Sequence, residues 1–163
     1  MKSFFNAPQE IHPERLWVIA NIGEVKAKVI LDLGCGRNKT IPEAIGVDIV
    51  WDTDIKGNAE SFPFPKNEVD IIISRHCFEH LLDPIKTLEN WYKILKIGGK
   101  IIMVIPDHEK MNTLDPFYSE GQHLHTYTME SLKNLISLFS LFEIEKLEVV
   151  IDYWSFGCVL RKL

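Results

Sequence analysis

The sequence predicts a single α/β domain built on a mostly parallel sheet that is covered on both faces. Short runs of Val, Ile and Leu occur at Val29–Leu31, Ile45–Asp48, Val69–Ser74 and Lys100–Ile105, and few polar residues interrupt them. Strands of a parallel sheet read as nearly continuous apolar runs because both faces of the sheet are buried. Segments with helical periodicity accompany these runs, and this alternation is typical of α/β folds.

Three segments have the pattern of amphipathic helices. Pro13–Ile22 begins with proline, which is favoured at the first helical position. Asp83–Leu95 repeats apolar residues at helical spacing and ends before Gly98–Gly99, which is a stop signal. Thr128–Phe139 restores the helical period, with Thr128 expected as the N-cap.

The C-terminal part is rich in residues that favour strands. Phe142–Ile151 and Ser155–Arg161 are predicted to be the last two strands, separated by a Tyr-Trp bend. The chain contains no internal repeat, low-complexity tract or linker, so residues 1–163 are predicted to form one domain.

Composition and charge exclude several classes of function. The 163 residues are 46% hydrophobic and 25% charged, which is close to an average soluble domain. A net charge of −5 with scattered Lys and Arg argues against a nucleic-acid partner. No apolar run reaches the roughly 18 residues of a membrane span, and the three cysteines suggest neither disulfides nor a thiolate zinc site. We therefore expect a soluble, cytoplasmic protein.

The first strand runs directly into a glycine turn, Gly34–Gly36, in the sequence VILDLGCG. In open α/β sheets, ligands bind outside the carboxyl ends of the strands, where this turn is expected. Glycine lets the backbone approach a ligand closely and adopt conformations that side chains disfavour. Asp48 ends the next strand and is placed to accept hydrogen bonds from the ribose hydroxyls of an adenosine.

Four further segments follow in a characteristic order: Gly57–Pro65, Val69–Ser74, Phe78–Leu81 and Leu95–Lys100. With the glycine turn, this series closely resembles the class I S-adenosylmethionine-dependent methyltransferases, particularly their compact small-molecule branch. The resemblance covers Val29–Pro106 and extends more loosely to the C-terminus. The order and spacing of the segments carry it, since no single segment is decisive.

The resemblance implies a doubly wound, seven-stranded sheet of order 3-2-1-4-5-7-6 with an antiparallel C-terminal hairpin. It also implies S-adenosylmethionine as the cofactor and a small-molecule acceptor, with O- or N-methylation of a metabolite, sugar, polyketide or lipid precursor. The cofactor-binding residues that it implies are Asp32, Gly34, Cys35, Gly36, Asp48, Ile49, Asn58, Ala59, Glu60, Ser74 and Arg75.

The resemblance also implies which part of S-adenosylmethionine these residues contact. Asp32 and the glycine turn would line the methionine end, and Asp48, followed by Ile49, would hold the ribose. Asn58 stands where the family commonly has Asp facing the adenine amino group, and its amide oxygen is able to accept the same bond. The neighbouring residues Ala59 and Glu60 would border the adenine, and Ser74 and Arg75 would lie beside the sulfonium.

Two features of the first crossover need explanation. Lys39 stands where a dinucleotide-binding fingerprint requires a third glycine, which argues against a pyrophosphate ligand. The link between the first two strands is short and contains Pro42, so its crossover helix is predicted to be shortened or missing. The N-terminal helix, or a second subunit of a homodimer, would then shield the adenosine site.

His76, His123 and His125 are the candidate catalytic residues. His123 and His125 belong to the segment HLHTYTMESL, which is similar to a His-rich segment of the family. Three roles stay open for these histidines: a general base or acceptor-orienting group, structural hydrogen bonding, and metal ligation. No metal site is predicted, because spacing fixes no third ligand, and Glu79 is interpreted as a helix N-terminal acid.

Two other functions compete with methyl transfer. The short crossover is compatible with a non-catalytic module that binds S-adenosylmethionine, or with a degenerate scaffold that regulates a partner. A nicotinamide-dependent reductase or epimerase is disfavoured by Lys39. Tyr92 and Lys96 do have the Tyr-x-x-x-Lys spacing of such enzymes, but they are interpreted as part of a packing helix.

Overall fold

The computed structural model describes residues 12–26, 28–110, 114 and 122–163. Its seven strands form one sheet of order β3-β2-β1-β4-β5-β7-β6, which confirms the predicted fold class and strand order. The first five strands are parallel, and β7 is antiparallel to both β5 and β6. The strands are β1 (Ile30–Leu33), β2 (Ile45–Asp48), β3 (Ile55–Lys56), β4 (Val69–Arg75), β5 (Leu95–Pro106), β6 (Phe142–Ile151) and β7 (Ser155–Lys162).

Three α-helices are present among the described residues, at α1 (Pro13–Ile22), α2 (Pro84–Ile94) and α3 (Met129–Ser137). The side chain of Asp83 caps α2 by accepting a hydrogen bond from the Lys86 N–H at 3.0 Å. Thr128 caps α3 through a reciprocal capping box with Ser131, as predicted for this threonine. None of these helices combines the length and the apolar character that crossing a lipid bilayer requires.

The strand that differs most from its predicted range is β5, and β3 was given no range from the sequence. β5 begins at Leu95, directly after α2, because Leu95 pairs with Val69 before a register shift in β4. The strand therefore includes the two glycines that were predicted to lie in a turn. β3 consists only of the exposed pair Ile55–Lys56, which is too short to give an apolar run.

The two faces of the sheet bury different sets of side chains. Consecutive residues of a strand point to opposite faces, so Ile72 belongs to the cluster beneath α2 and α3, whereas Ile71 and Ile73 belong to the cluster beneath α1. The α2 and α3 cluster is the larger, and it contains Trp91, Phe78 and Phe156 at its centre. Both faces are therefore buried, as the apolar strands predicted.

The first crossover, residues 34–44, contains no helix, which confirms the prediction from its length. Polar side chains hold the connection instead. The buried Asp32 carboxylate accepts the Thr40 N–H at 2.5 Å, and the Thr40 carbonyl accepts Arg15 Nε–H at 2.6 Å. Ile41 and Ala44 are buried against the sheet. A short loop thus fills part of the space that a crossover helix would cover.

Lys39 secures the end of the same crossover. Its ammonium donates to the Pro42 carbonyl at 3.0 Å, to the Ala44 carbonyl at 2.8 Å and to Asp54 at 2.7 Å. The Asp54 carboxylate also accepts the Gly46 N–H of β2 at 2.8 Å. The lysine therefore ties the loop to β2 and to the residues before β3.

The helix α1 covers the face that the missing crossover helix leaves open. The Trp17 ring lies over Gly157 of β7, and its indole N–H donates to Glu148 at 2.7 Å. A Cβ atom at Gly157 would collide with that ring. The close approach of α1 to the sheet therefore depends on the absence of a side chain at Gly157.

We predict that Gly157→Ala lowers the free energy of unfolding by about 1–3 kcal/mol, because the added methyl group forces Trp17 out of its packing position. Urea denaturation of the wild-type protein and the variant measures the loss. The control is the same substitution in a Trp17→Ala background, where the collision is absent. An equal loss in both backgrounds would contradict the proposed packing.

Candidate active site at the carboxyl edge of the sheet

The glycine turn is held between the ends of β2 and β4. Gly34 and Gly36 have φ angles of 68° and 61°, a region that favours glycine. The Gly34 N–H donates to the Val47 carbonyl at 2.8 Å. A Cβ atom at Gly34 would collide with the Cys77 side chain, which follows β4. Gly34 is therefore required for packing.

Gly36 has a different environment. Among the described residues, a Cβ atom there would meet only Cδ1 of Trp51, at 3.8 Å, so they leave the space beside the backbone open. Its N–H donates to Asp48 Oδ2 at 2.8 Å, while the N–H groups of Val50 and Trp51 donate to Oδ1 at 2.8 and 3.0 Å. Burial opposes ionisation of Asp48, but these three bonds lower its pKa. Asp48 is thus an ionised, positioned carboxylate.

Asp32 lies under the turn and is almost fully buried. Its carboxylate is engaged by the Thr40 N–H, so it braces the first crossover. Burial raises its pKa, an effect that the bond from Thr40 and the charge of Arg75 partly offset. A direct contact between Asp32 and the cofactor stays a prediction.

The outer side of the turn carries exposed apolar residues. Ile49 and Trp51 follow Asp48, with 60% and 40% of their surfaces exposed. The Arg37 guanidinium stacks on the Trp51 ring, 3.9 Å from its centroid. Cys35 is partly buried, with its thiol 3.5 Å from the Thr53 hydroxyl. Trp51 thus lies beside Gly36, and Ile49 and Trp51 leave apolar surface exposed after β2.

The predicted adenine segment is fixed to α2. The Asn58 side chain accepts the Glu60 N–H at 2.9 Å, which shapes the turn. The Ala59 carbonyl accepts the Trp91 indole N–H at 2.8 Å, and the Glu60 carboxylate accepts the Asp83 N–H at 2.7 Å. The exposed Asn58 follows β3, on the same edge of the sheet as Asp48.

Ser74 and Arg75 end β4, next to β1 in the sheet. The Ser74 hydroxyl is fully buried beside the Cys77 thiol and has no stronger hydrogen-bond partner among the described residues. Arg75 is partly exposed, and its charge acts on Asp32. Both residues lie at the carboxyl edge of the sheet, and their contact with the cofactor stays a prediction.

His76 lies between two buried carboxylates. Its Nε2 atom is 2.9 Å from each oxygen of Glu14, and its Nδ1 atom is 3.5 Å from Glu79 Oε1. Burial disfavours the charged ring, but the charge and hydrogen bond of Glu14, together with the nearby charge of Glu79, raise the pKa of His76 to about 10. Both ring nitrogens therefore carry a proton at neutral pH, which favours the structural role over the general-base role for His76.

Sequence reasoning did not identify Glu14 as a site residue. Its carboxylate is buried, and burial opposes its ionisation, yet the charge and hydrogen bond of His76 hold its pKa at about 2. The available signal was its spacing, because Glu14, Val18 and Ile22 share one buried helix face. An acid on the apolar face of a helix indicates a charged partner in the sheet.

The other candidate histidines lie near Glu79, at the 3₁₀ helix Phe78–His80. His123 Nε2 and His80 Nε2 are each 3.9 Å from Glu79 Oε1. His125 Nε2 is instead 3.2 Å from the Leu82 carbonyl. The structure thus brings His76 and His123 to the same oxygen of Glu79, whereas the side chain of His125 lies against the Leu82 carbonyl.

His125 also lines a pocket of about 380 Å³ between the start of α2 and α3. None of the predicted cofactor residues contributes to its wall. The lining residues are Pro84, Leu114, Leu124, His125, Thr126, Tyr127, Ser131 and Leu135.

Comparison with known proteins agrees with this geometry. A family model described as a methyltransferase domain matches residues 14–144. The chain belongs to this methyltransferase family. The domain is 30% identical over 103 residues to the ubiquinone/menaquinone biosynthesis C-methyltransferase UbiE of Pseudoalteromonas translucida, which covers 60% of this chain and 41% of the relative. The chain therefore spans about two fifths of the length of such curated relatives.

Solved structures share the fold of this methyltransferase domain. An S-adenosylmethionine-dependent methyltransferase from Mesorhizobium loti has a TM-score of 0.75 at 16% identity, covering 95% of this chain and 100% of the other. The 1,6-didemethyltoxoflavin-N1-methyltransferase of Burkholderia thailandensis, with bound S-adenosylhomocysteine, has a TM-score of 0.72 at 15% identity and coverages of 98% and 80%. The family and fold support S-adenosylmethionine as the cofactor.

We predict that Glu14→Gln lowers the free energy of unfolding at neutral pH by on the order of 3 kcal/mol, because glutamine cannot balance the imidazolium of His76. The folded-state pKa of Glu14 is depressed from 4.5 to about 2, so its contribution is present above pH 4.5 and lost as the pH falls toward 2. Urea denaturation at stepped pH measures the difference between variant and wild type.

The control is Glu109→Gln, which removes a carboxylate that is 61% exposed and paired only with Lys110 in the described structure. That change is expected to cost less than about 1 kcal/mol at neutral pH. A stability deficit of Glu14→Gln that stays constant between neutral and acidic pH would contradict the depressed pKa of Glu14.

Proposed function

We propose that this domain transfers a methyl group from S-adenosylmethionine to a small organic acceptor. The observation that carries the proposal is the open backbone face at Gly36 beside the ionised Asp48, at the carboxyl edge of a methyltransferase sheet. Of the roughly four lone-pair sites of a carboxylate, three are filled in Asp48. Oδ2 therefore retains capacity for a ribose hydroxyl.

The other residues at this edge fit the remaining parts of the cofactor. The buried Ser74 hydroxyl has unused hydrogen-bonding capacity, and the neighbouring strand supplies an acidic group, because Asp32 pairs with Ile73. An acidic strand end suits a ligand that carries a sulfonium and an ammonium group. Ile49 and Trp51 offer apolar surface for the adenine, and Asn58 offers an amide. When bound, S-adenosylmethionine supplies an electrophilic methyl group.

The contribution of the protein is mainly alignment, because methyl transfer from sulfur is an in-line displacement. We assign His76 a positioning role, since its two ring nitrogens face Glu14 and Glu79 and hold α1 against the end of β4. His123 and His125 remain the candidates for orienting or deprotonating an acceptor.

The pocket beside His125 supports a small acceptor. Its volume of about 380 Å³ lies in the usual range for small-molecule sites, and Leu124, Tyr127 and Leu135 give it an apolar lining. The proposal leaves oxygen, nitrogen or carbon as the methylated atom of the acceptor. Carbon joins the two predicted alternatives because the curated relatives are C-methyltransferases. A single domain over residues 1–163, a cytoplasmic location and a homodimer stay predictions.

We predict that the wild-type protein binds S-adenosylmethionine and S-adenosylhomocysteine in calorimetric titration, and that Gly36→Ala weakens both by about tenfold or more, or about 1.4 kcal/mol. The added methyl group occupies the open side of the turn. Gly98→Ala is the matched control, because Gly98 has a φ of 73° and no atom of the described residues lies within 4 Å of its missing Cβ, so the substitution imposes similar backbone strain elsewhere.

Equal weakening by the two substitutions would contradict the assignment of the glycine turn. Binding of NADH in place of the adenosyl compounds would favour a nicotinamide-dependent enzyme. Binding of S-adenosylmethionine without formation of S-adenosylhomocysteine across a panel of phenols, amines and quinols would favour the non-catalytic module.

We predict that Leu135→Trp, which fills the pocket, raises the KM for an acceptor found in that panel while the Kd for S-adenosylmethionine stays unchanged. Initial rates of S-adenosylhomocysteine formation give the KM. The control is Leu138→Trp, because Leu138 is 73% exposed and lies outside the pocket. An unchanged KM in Leu135→Trp would exclude this pocket as the acceptor site.

A further inference from the structure

Glu79, His80 and His123 form a compact cluster, and only His123 of the three has a candidate role in the proposed methyl transfer. One ligand atom from each of these three residues lies within 4.8 Å of the other two. The His80 and His123 rings meet edge to face, with their centroids 4.7 Å apart. Local spacing could not predict the cluster, since Glu79 lies on the 3₁₀ helix and His123 lies beyond β5.

The carboxylate of Glu79 needs a positive partner. Glu79 is 1% exposed, and neither of its oxygens accepts a hydrogen bond from the described residues. His76 is its nearest cationic neighbour, at 3.5 Å, but that ring is held by Glu14 at 2.9 Å. A buried carboxylate without a close partner is costly. The structure therefore places a buried carboxylate that lacks hydrogen bonds from the described residues beside the imidazoles of His80 and His123.

The main chain fixes the three side chains relative to one another. The N–H groups of Leu124 and His125 both donate to the Glu79 carbonyl at 3.0 Å, which joins the His123 segment to the 3₁₀ helix. His80 Nδ1 is 3.0 Å from the Gln122 carbonyl and must donate to it, because a carbonyl only accepts. His80 Nε2 is then left with a lone pair directed at the cluster, as in many metal-ligating histidines.

We propose that Glu79, His80 and His123 bind a divalent first-row transition metal ion such as Zn²⁺. Ligand bonds of about 2.1 Å place tetrahedral ligand atoms about 3.4 Å apart. Each imidazole Nε2 is 3.9 Å from Glu79 Oε1, so these two separations need to shorten by only about half an ångström, and the ligand atoms of the two histidines already lie within 4.8 Å of each other.

The donor set determines the class of metal. Two imidazoles and one carboxylate favour Zn²⁺, Co²⁺ or Fe²⁺, whereas Mg²⁺ and Ca²⁺ prefer oxygen ligands alone. Three protein ligands leave at least one coordination position for water or another exchangeable ligand, unlike a closed four-ligand structural site. This inference goes beyond the proposed function, because metal binding is measurable without S-adenosylmethionine or an acceptor.

The test uses the full chain without an affinity tag, freed of metal by chelation. Titration with Co²⁺, followed by its visible absorption, and competition by Zn²⁺ give the stoichiometry and the Kd. We expect one ion per chain and no displacement by millimolar Mg²⁺. His123→Ala and His80→Ala should each weaken binding by more than the roughly 10–100-fold that loss of an outer-shell partner costs.

His125→Ala is the matched control, because His125 lies in the same segment but its Nε2 faces the Leu82 carbonyl. It should bind the ion like the wild-type protein. Glu79→Gln tests the buried ligand, and circular dichroism shows whether each variant is folded. The side chains of His80 and His123 are 33% and 10% exposed, so we expect both alanine variants to fold. Loss of metal binding in a folded variant then reports on the missing ligand.

The proposal is overturned if the wild-type protein binds no Co²⁺ or Zn²⁺ at micromolar concentration. It is also overturned if His80→Ala and His123→Ala bind the ion as tightly as His125→Ala. Calorimetric titration of the same variants with S-adenosylmethionine separates this failure from failure of the proposed function, since the cofactor site contains none of the three ligands.

Discussion

The short connection from β1 to β2 determines much of this domain. The chain returns to the start of β2 within residues 34–44, and no helix forms there. Asp32 and Lys39 therefore hold the loop with hydrogen bonds, and α1 covers the face of the sheet that is left open. The position of α1 then brings Glu14 to His76. The absence of a helix in this crossover thus places the Glu14 carboxylate of α1 at the end of β4.

Much of the fold was predictable from local sequence pattern. The buried parallel strands appear as apolar runs because both faces exclude water, and α1 and the cap of α3 follow from proline and threonine preferences. The family resemblance supplied the strand order, which local pattern does not contain. β3 was not located, since two exposed residues in a parallel pair leave no periodicity. Leu95 joined β5 because of its partner Val69, a non-local cause.

The site was predictable only in part. The glycines and Asp48 were found because strand ends and turns have local signatures, and these residues do lie together. The partner of Asp32 and the ion pair of Glu14 with His76, 62 residues apart, depend on tertiary packing. Glu79 was interpreted as a helix-end acid, which accounts for its position in the chain but not for its burial between imidazoles.

The placement of β7 between β5 and β6 has a consequence for how the chain is made. During synthesis β6 emerges before β7, so it has no neighbour in the sheet, and the edge of β5 stays uncovered. Lys162 then links β7 to the carbonyls of Tyr92 and Leu95, each at 2.7 Å. Such late, long-range pairing slows folding. The nascent chain therefore passes through a stage in which the unpaired edge of β5 is exposed and open to pairing with another chain.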